Sequence, residues 1–180
     1  MNVAFALALA LSPAHAETAP HASTHRLSAA EALGAVLALT DAAVAAADVA
    51  QTRAKEPNAQ AYAAQEKRWH SELRKEADRL AKLANVSPAA SAASESLRER
   101  GAVYLKRLSA GPDFDASYLD TQSRLHVLAD YLLERNAVRG EDYHIGLLLA
   151  QARGVIWKLS RPRASFAAEY PLLHRPDGDD

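Results

Sequence analysis

Apolar residues recur every three or four positions along most of the chain, which is the spacing of helix faces rather than of strands. The first such tract predicts a helix from Ser28 to Lys55, because Ser28 and Glu31 have the spacing of a capping box. Its apolar positions follow the four-three rhythm of a bundle seam. Asp41 and Asp48 interrupt the tract, which argues against a membrane span and favours a solvated face over a metal-ligand pair.

The same spacing predicts four further helices. They run from about Pro57 to Asn85, from about Pro88 to Ser109, from Asp115 to about Asn136, and from the turn at residues 139–142 to about Ser160. Asp115 is expected to be the N-cap of its own helix, because its carboxylate can accept from first-turn amides. The predicted fold class is all-α, an up-down four-helix bundle with an additional short helix between helices two and three.

The first residues of the chain have the pattern of a secretory signal peptide. An apolar run from Val3 to Leu11 is followed by Pro13 and by an Ala-His-Ala cleavage site at residues 14–16. No cysteine follows the site, so a lipid anchor is not predicted. We expect an exported protein, located in a bacterial periplasm or associated with the outer membrane, with no transmembrane segment in its mature chain.

The remaining organisation follows from composition. Residues 17–27 are expected to form a flexible leader, residues 28–160 the helical-bundle domain, and residues 161–180 a partly disordered C-terminal tail. The tail contains an apolar segment, Phe166–Leu173, through which self-association is a further hypothesis.

Charge and motif content exclude several classes of function. Basic and acidic residues nearly cancel, 21 against 22, which gives no argument for nucleic acid as a partner. The chain has no cysteine, so neither a disulfide framework nor a thiolate metal site is available. Gly-x-Ser-x-Gly, His-Glu-x-x-His and a glycine-rich phosphate loop are all absent from the sequence. An enzyme is therefore not the favoured interpretation.

Four polar residues are the candidates for an internal site. Glu66 and His70 lie four residues apart and can meet on one helix face. His126 borders the apolar face of its own helix, and His144 lies on the predicted inner face of the last helix. Imidazole and carboxylate ligands would suit Zn, Cu or Ni. The alternative is a polar layer of hydrogen-bonded histidines within the bundle. A ferritin-type di-iron centre is not predicted, because no Glu-x-x-His occurs.

Three patches between residues 33 and 160 resemble a family of secreted bacterial proteins. They are Asn58–Ala63 with the downstream His70, the turn Asn85–Pro88, and Phe114–Leu119 with Gln122 and His126 behind it. The family is domain of unknown function 4142, sometimes labelled "predicted outer membrane protein" and grouped with ferritin-like bundles. The resemblance implies a ferritin-like bundle and export from the cytoplasm. The activity of the family is not established, so no function follows from it.

The chain departs from the family pattern at several polar positions. Trp69 stands where the family usually has Asp before the helix-two His, and Trp157-Lys158-Leu159 replaces a late His-Leu pair. The acidic residue of family helix one falls on Ala43 or Ala45. Of the inward polar positions of the family, His70 and His126 remain. The chain therefore resembles a divergent member of this family.

Two functional hypotheses follow. The first is a non-enzymatic, exported bundle protein that binds an envelope partner or a small ligand. The second is a metal-binding or metal-dependent redox protein that uses the inward-facing histidines. The sequence assigns no catalytic residue and no oligomeric state.

Overall fold

The structure is a computed structural model that describes residues 26–110, 113–135 and 143–160. Within these ranges the chain forms five α-helices and no strand, so the all-α prediction is confirmed. The helices are α1 (Ala29–Arg53), α2 (Pro57–Ala84), α3 (Ala92–Ala110), α4 (Phe114–Arg135) and α5 (Tyr143–Ser160). The predicted signal peptide, most of the leader, the turn at residues 139–142 and the tail lie outside the described residues.

Helix α1 is the centre of the bundle, and all four other helices pack against it. It begins with the predicted capping box: Glu31 N donates to Ser28 Oγ at 3.3 Å, and Ser28 N donates to Glu31 Oε2 at 2.8 Å. Small alanine side chains allow the close approach of several neighbours, and α1 is buried on most sides. Among the described helices, α1 alone is long and apolar enough to cross a membrane. Most of its apolar stretch is buried, as in the core helix of a soluble protein.

Helix α2 runs antiparallel to α1. Lys67 Nζ lies 2.7 Å from Asp48 Oδ1, and Arg74 forms an ion pair with Asp41, so rising numbers on α2 meet falling numbers on α1. The two aspartates are therefore partners of basic side chains on a partly solvated face. Helix α2 ends at Asn85, which adopts the left-handed conformation (φ 53°) that asparagine tolerates at a helix end.

Helix α3 starts later than the sequence indicated. Ser87-Pro88 resembles an N-cap followed by proline, but the helix begins at Ala92. The residues that fix its start are Ser91 and Ser94: Ser94 N donates to Ser91 Oγ at 3.1 Å, and Ser91 N donates to Ser94 Oγ at 2.9 Å. The helix contains 19 residues, one more than α5, so it is a full member of the bundle rather than a short insertion.

The start of α4 corrects the predicted N-cap. Asp113, not Asp115, precedes the helix, and its Oδ1 accepts from Ala116 N at 3.1 Å. Asp115 lies inside the first turn and is buried. Its carboxylate accepts from the backbone amides of Lys55 and Glu56 at 2.9–3.2 Å. It thus caps the N-terminus of α2, which has no side-chain cap of its own.

Helix α5 returns along α2 in the opposite direction. Lys158 Nζ lies 4.4 Å from the ring centre of Trp69, and Gln151 Nε2 lies 3.5 Å from Glu76 Oε1. The buried positions of α5 are Ile145, Leu148, Leu149, Ala152, Ile156 and Leu159. The sequence placed His144 on the inner face, but the buried face of α5 starts one residue later, at Ile145. The run from residue 145 to 149 is apolar on several sides of the helix, so its spacing does not fix which side is buried.

Candidate metal centre

Three of the four candidate residues meet in the interior of the bundle. Glu66 and His70 occupy successive turns of one face of α2, and His126 lies on α4. The side chains of all three are 0% exposed. A buried carboxylate costs several kcal/mol unless it has a compensating partner, so the three groups form one unit.

The three ligand atoms form a nearly equilateral triangle. His70 Nε2 lies 3.1 Å from His126 Nε2, and Glu66 Oε2 lies 3.2 Å from the first nitrogen and 3.4 Å from the second. The two imidazole centroids are 5.3 Å apart, with 28° between the ring planes. Because the Nε2 atoms are much closer than the centroids, the two rings face one another through their Nε2 edges, with Glu66 Oε2 beside both nitrogens.

Glu66 carries the charge of the site. Burial raises the pKa of its carboxyl, but the charges of His126 and His70 and their contacts with it outweigh burial and hold the pKa well below its ordinary value. The carboxylate is therefore ionised, and a positive partner must balance it. Neither of its oxygens forms a well-aligned hydrogen bond with a described residue, although Oε2 lies within ion-pair distance of both imidazoles.

The triangle has the dimensions of a metal-ligand face. The point equidistant from its three corners lies about 1.9 Å from each, and a small displacement out of the plane gives the bonds of about 2.0–2.1 Å that Zn forms with nitrogen and oxygen. In the described part of the chain, no other group of three His, Cys, Asp or Glu side chains brings its ligand atoms within 4.8 Å of one another.

A second arrangement of the same atoms uses protons alone. At the contact between His70 and His126, one Nε2 must donate and the other must accept. The Glu66 carboxylate would then balance the charge of one protonated imidazole. The polar layer expected as the alternative has this form, and the two arrangements differ in whether a cation or a proton occupies the centre.

His144 does not join the cluster and is not one of its ligands. It is half-buried near the start of α5, where its ring packs against Tyr143 at a centroid distance of 5.7 Å. The end of α5 is level with the site, because Lys158 lies over Trp69. His144 precedes Lys158 by 14 residues, which places it about 20 Å away along the helix axis.

Gln122 is the residue of this layer that sequence reasoning did not assign to the site. It is fully buried, and it lies one turn before His126 on the same face of α4. Its Nε2 donates to the carbonyl of Ala43 at 3.5 Å, whereas its Oε1 has no hydrogen-bond partner among the described residues. The available signal was its four-residue spacing from His126, which alone does not separate a core position from a site position.

Comparison with known proteins gives one match. The model of a family described as "Domain of unknown function (DUF4142)" matches residues 12–158. The matched stretch includes all of α1 to α4, most of α5 and the three residues of the cluster. No curated protein and no solved structure matches the chain.

Proposed function

Because the chain belongs to the DUF4142 family, whose description names no activity, we propose a function from the site itself: the protein binds one transition-metal ion through Glu66, His70 and His126. Two imidazoles and a carboxylate suit Zn²⁺, Cu²⁺ or Ni²⁺. Binding is expected to be tightest for Cu²⁺, which exceeds both Ni²⁺ and Zn²⁺ in the general affinity order.

One observation carries the proposal. Three ligand atoms from two helices lie 3.1–3.4 Å apart and converge in the interior, where none of the side chains is exposed. A cation at the centre would balance the Glu66 charge and bind Oε2, which forms no aligned hydrogen bond with a described residue. The hydrogen-bonded layer balances the charge with a proton but leaves the carboxylate without an aligned donor.

The surroundings favour binding over catalysis. The site lies inside the bundle, and the surface cavity between α2 and α5 is lined by Trp69, Gln151, Lys158 and their neighbours rather than by the cluster. We therefore propose a metal-binding protein rather than an enzyme, acting outside the cytoplasm in accordance with the predicted signal peptide.

The test is metal analysis of the untagged chain from residue 17 onward. We expect one equivalent of Zn²⁺, Cu²⁺ or Ni²⁺ per chain by calorimetric titration, with elemental analysis as a second readout. Glu66→Gln, His70→Gln and His126→Gln remove one ligand each with little change of volume, and each is expected to abolish stoichiometric binding. Circular dichroism establishes that each variant is folded.

Other histidines provide the controls. His144→Gln changes the same residue type outside the cluster and is expected to leave binding unchanged. His21→Gln with His25→Gln removes the two leader histidines that remain in the mature chain, which could bind metal weakly. Binding that survives the three cluster variants, or that is lost equally in His144→Gln, would contradict the proposal.

A further inference from the structure

Helices α2 and α4 face one another at a constant register. The rings of Tyr62 and Tyr118 pack edge to face with centroids 6.1 Å apart, and two turns later His70 meets His126, 56 residues further along the chain. The tyrosines have the same separation in sequence. Because the two contacts have the same sequence separation, residue numbers rise in the same direction along both helices, so the helices run parallel. Residues between the two contacts are expected to face each other at the same separation of 56.

Glu66 and Gln122 are the pair halfway between these contacts. Their separation is again 56 residues, so they occupy facing positions on the same helix interface. Both side chains are fully buried. The layer next to the histidines therefore consists of a carboxylate on α2 and an amide on α4.

The Gln122 amide is held at the level of the site by α1. Its Nε2 donates to the carbonyl of Ala43. The ion pairs that join α1 to α2 on either side of Ala43 place this carbonyl alongside the turn of α2 that holds His70. With Nε2 donating to α1, the other amide atom, Oε1, is buried and has no hydrogen-bond partner among the described residues.

Several buried polar atoms of the layer, His70 Nδ1 among them, have no hydrogen-bond partner among the described residues. Both Glu66 oxygens and Gln122 Oε1 are buried without a well-aligned hydrogen bond among the described residues. A buried acceptor without a hydrogen-bond donor destabilises the folded chain. A water molecule supplies two donors, and buried waters typically occupy such positions.

A tetrahedral metal site built on the three protein ligands would need a fourth ligand. For bonds of about 2.05 Å, ligand atoms are about 3.3 Å apart in a tetrahedron and about 2.9 Å apart in an octahedron. The separations of 3.2 and 3.4 Å are nearer to the tetrahedral value, and that of 3.1 Å lies midway between the two values. Three corners of the tetrahedron come from protein, and in sites with three protein ligands the fourth is a water.

We infer that Gln122 holds this fourth ligand: its Oε1 accepts a hydrogen bond from a water molecule bound to the metal. The inference rests on the proposed metal function. Gln122 is then a positioning residue, since it acts on the metal through the water. As a neutral amide it adds no charge to the interior and competes less with Glu66 for the metal than a second carboxylate would.

The test uses Co²⁺ in place of the native metal, because its visible absorption depends on coordination number and ligand set. Gln122→Leu is expected to bind Co²⁺ and Zn²⁺ 10–100-fold more weakly, as for other residues that orient a metal ligand. Its Co²⁺ spectrum is expected to change in band position and intensity.

Gln60→Leu is the matched control. Gln60 Nε2 donates to the Ala54 carbonyl at 2.8 Å, so this variant also removes an amide hydrogen bond to backbone, but away from the site. Its spectrum and affinity are expected to be those of the wild type. If Gln122→Leu does not fold, Gln122→Met, which preserves side-chain length without the amide, provides the readout.

The outcomes separate the two proposals. Wild-type metal binding with an unchanged Co²⁺ spectrum and affinity in Gln122→Leu would overturn the role of Gln122 and leave the metal site standing. A wild-type chain that binds no metal would overturn both. A changed spectrum in Gln122→Leu that is absent from Gln60→Leu supports the water-anchoring role over a purely structural one.

Discussion

The carboxylate of Asp115, on α4, accepts a hydrogen bond of 2.9 Å from the backbone amide of Glu56 at the start of α2. The neighbouring amide of Lys55 donates to the same carboxylate. Asp115→Ala leaves two part-buried amides without their acceptor, and we expect it to lower the free energy of unfolding by about 1–3 kcal/mol. Urea denaturation followed by circular dichroism measures the loss.

Asp113→Ala is the companion variant. It removes an exposed cap of α4 itself, and a loss of about 1 kcal/mol is expected. Asp115→Asn keeps an acceptor but removes the charge that faces the positive end of α2, so its loss should be intermediate. An Asp115→Ala loss smaller than that of Asp113→Ala would contradict the role of Asp115 as a cap between helices.

Gly34 permits the connection between α2 and α3 to pack on α1. A Cβ at this position would lie 2.1 Å from the carbonyl oxygen of Ala89. That segment cannot move away freely, because Ala89 N donates to the carbonyl of Ala30 at 2.9 Å. Gly34→Ala is therefore expected to lower the free energy of unfolding by about 1–3 kcal/mol, although alanine is the better helix former.

Gly154 provides the opposite case. Apart from the backbone of α5 itself and the two neighbouring residues, no atom of the described residues lies within 4 Å of a Cβ built at this position. Gly154→Ala is expected to raise the free energy of unfolding by about 0.5–1 kcal/mol, because alanine loses less backbone freedom than glycine. Thermal denaturation of both variants tests the pair, and shifts of the same sign would refute the packing argument.

The ionisation of Glu66 makes the metal-free protein sensitive to acid. Its pKa in the folded chain lies well below the unfolded value of about 4.3. The stability from its ionised form is fully present above that unfolded value and is lost as the pH falls below it, because the unfolded chain binds a proton that the folded chain does not. Wild-type stability is expected to fall more steeply than that of Glu66→Gln below about pH 5. Urea midpoints across this range measure both slopes, and parallel slopes would disprove the coupling.

Metal should stabilise the folded chain, and the free energy gained should rise with the logarithm of the free metal concentration. At free Zn²⁺ of about 100 times the dissociation constant, the expected gain is about 2.7 kcal/mol. For a chain of 180 residues this corresponds to a rise in Tm of about 5–10 °C. Differential scanning calorimetry should show the rise in wild type, its reversal by a chelator and its absence in His126→Gln. An equal rise in that variant would place the metal elsewhere.

The helices were largely predictable because their signals are local. The Ser28–Glu31 capping box and Pro57 at the first turn of α2 are read from adjacent residues, and both are confirmed. The signals that failed depend on distant partners. Asp115 satisfies the local criteria for an N-cap, yet its carboxylate is used by another helix. The buried side of α5 was predicted wrongly, because its apolar run covers several sides of the helix.

The site was predictable only as far as helix periodicity reaches. The meeting of Glu66 and His70 follows from their four-residue spacing, and the inward position of His126 from the apolar stripe beside it. The register between helices decides whether His126 reaches Glu66 and His70. It also decides how far His144 lies from them and whether Gln122 lies in the same layer. That register is set by side-chain packing along α2, α4 and α5, which no single stretch of sequence encodes.

The constant separation of 56 residues between α2 and α4 also bears on the order of folding. Bringing His70 to His126 closes a loop that contains α3 and both of its connections, at an entropic cost of about 4 kcal/mol. The hairpin of α1 and α2 joins neighbours in sequence and closes at a lower cost. We expect the polar layer to assemble after the α1–α2 hairpin, so metal uptake during refolding should lag behind helix formation. A metal that binds this layer would bind the folded bundle. It would not bind a collapsed chain in which α4 has not yet packed against α2.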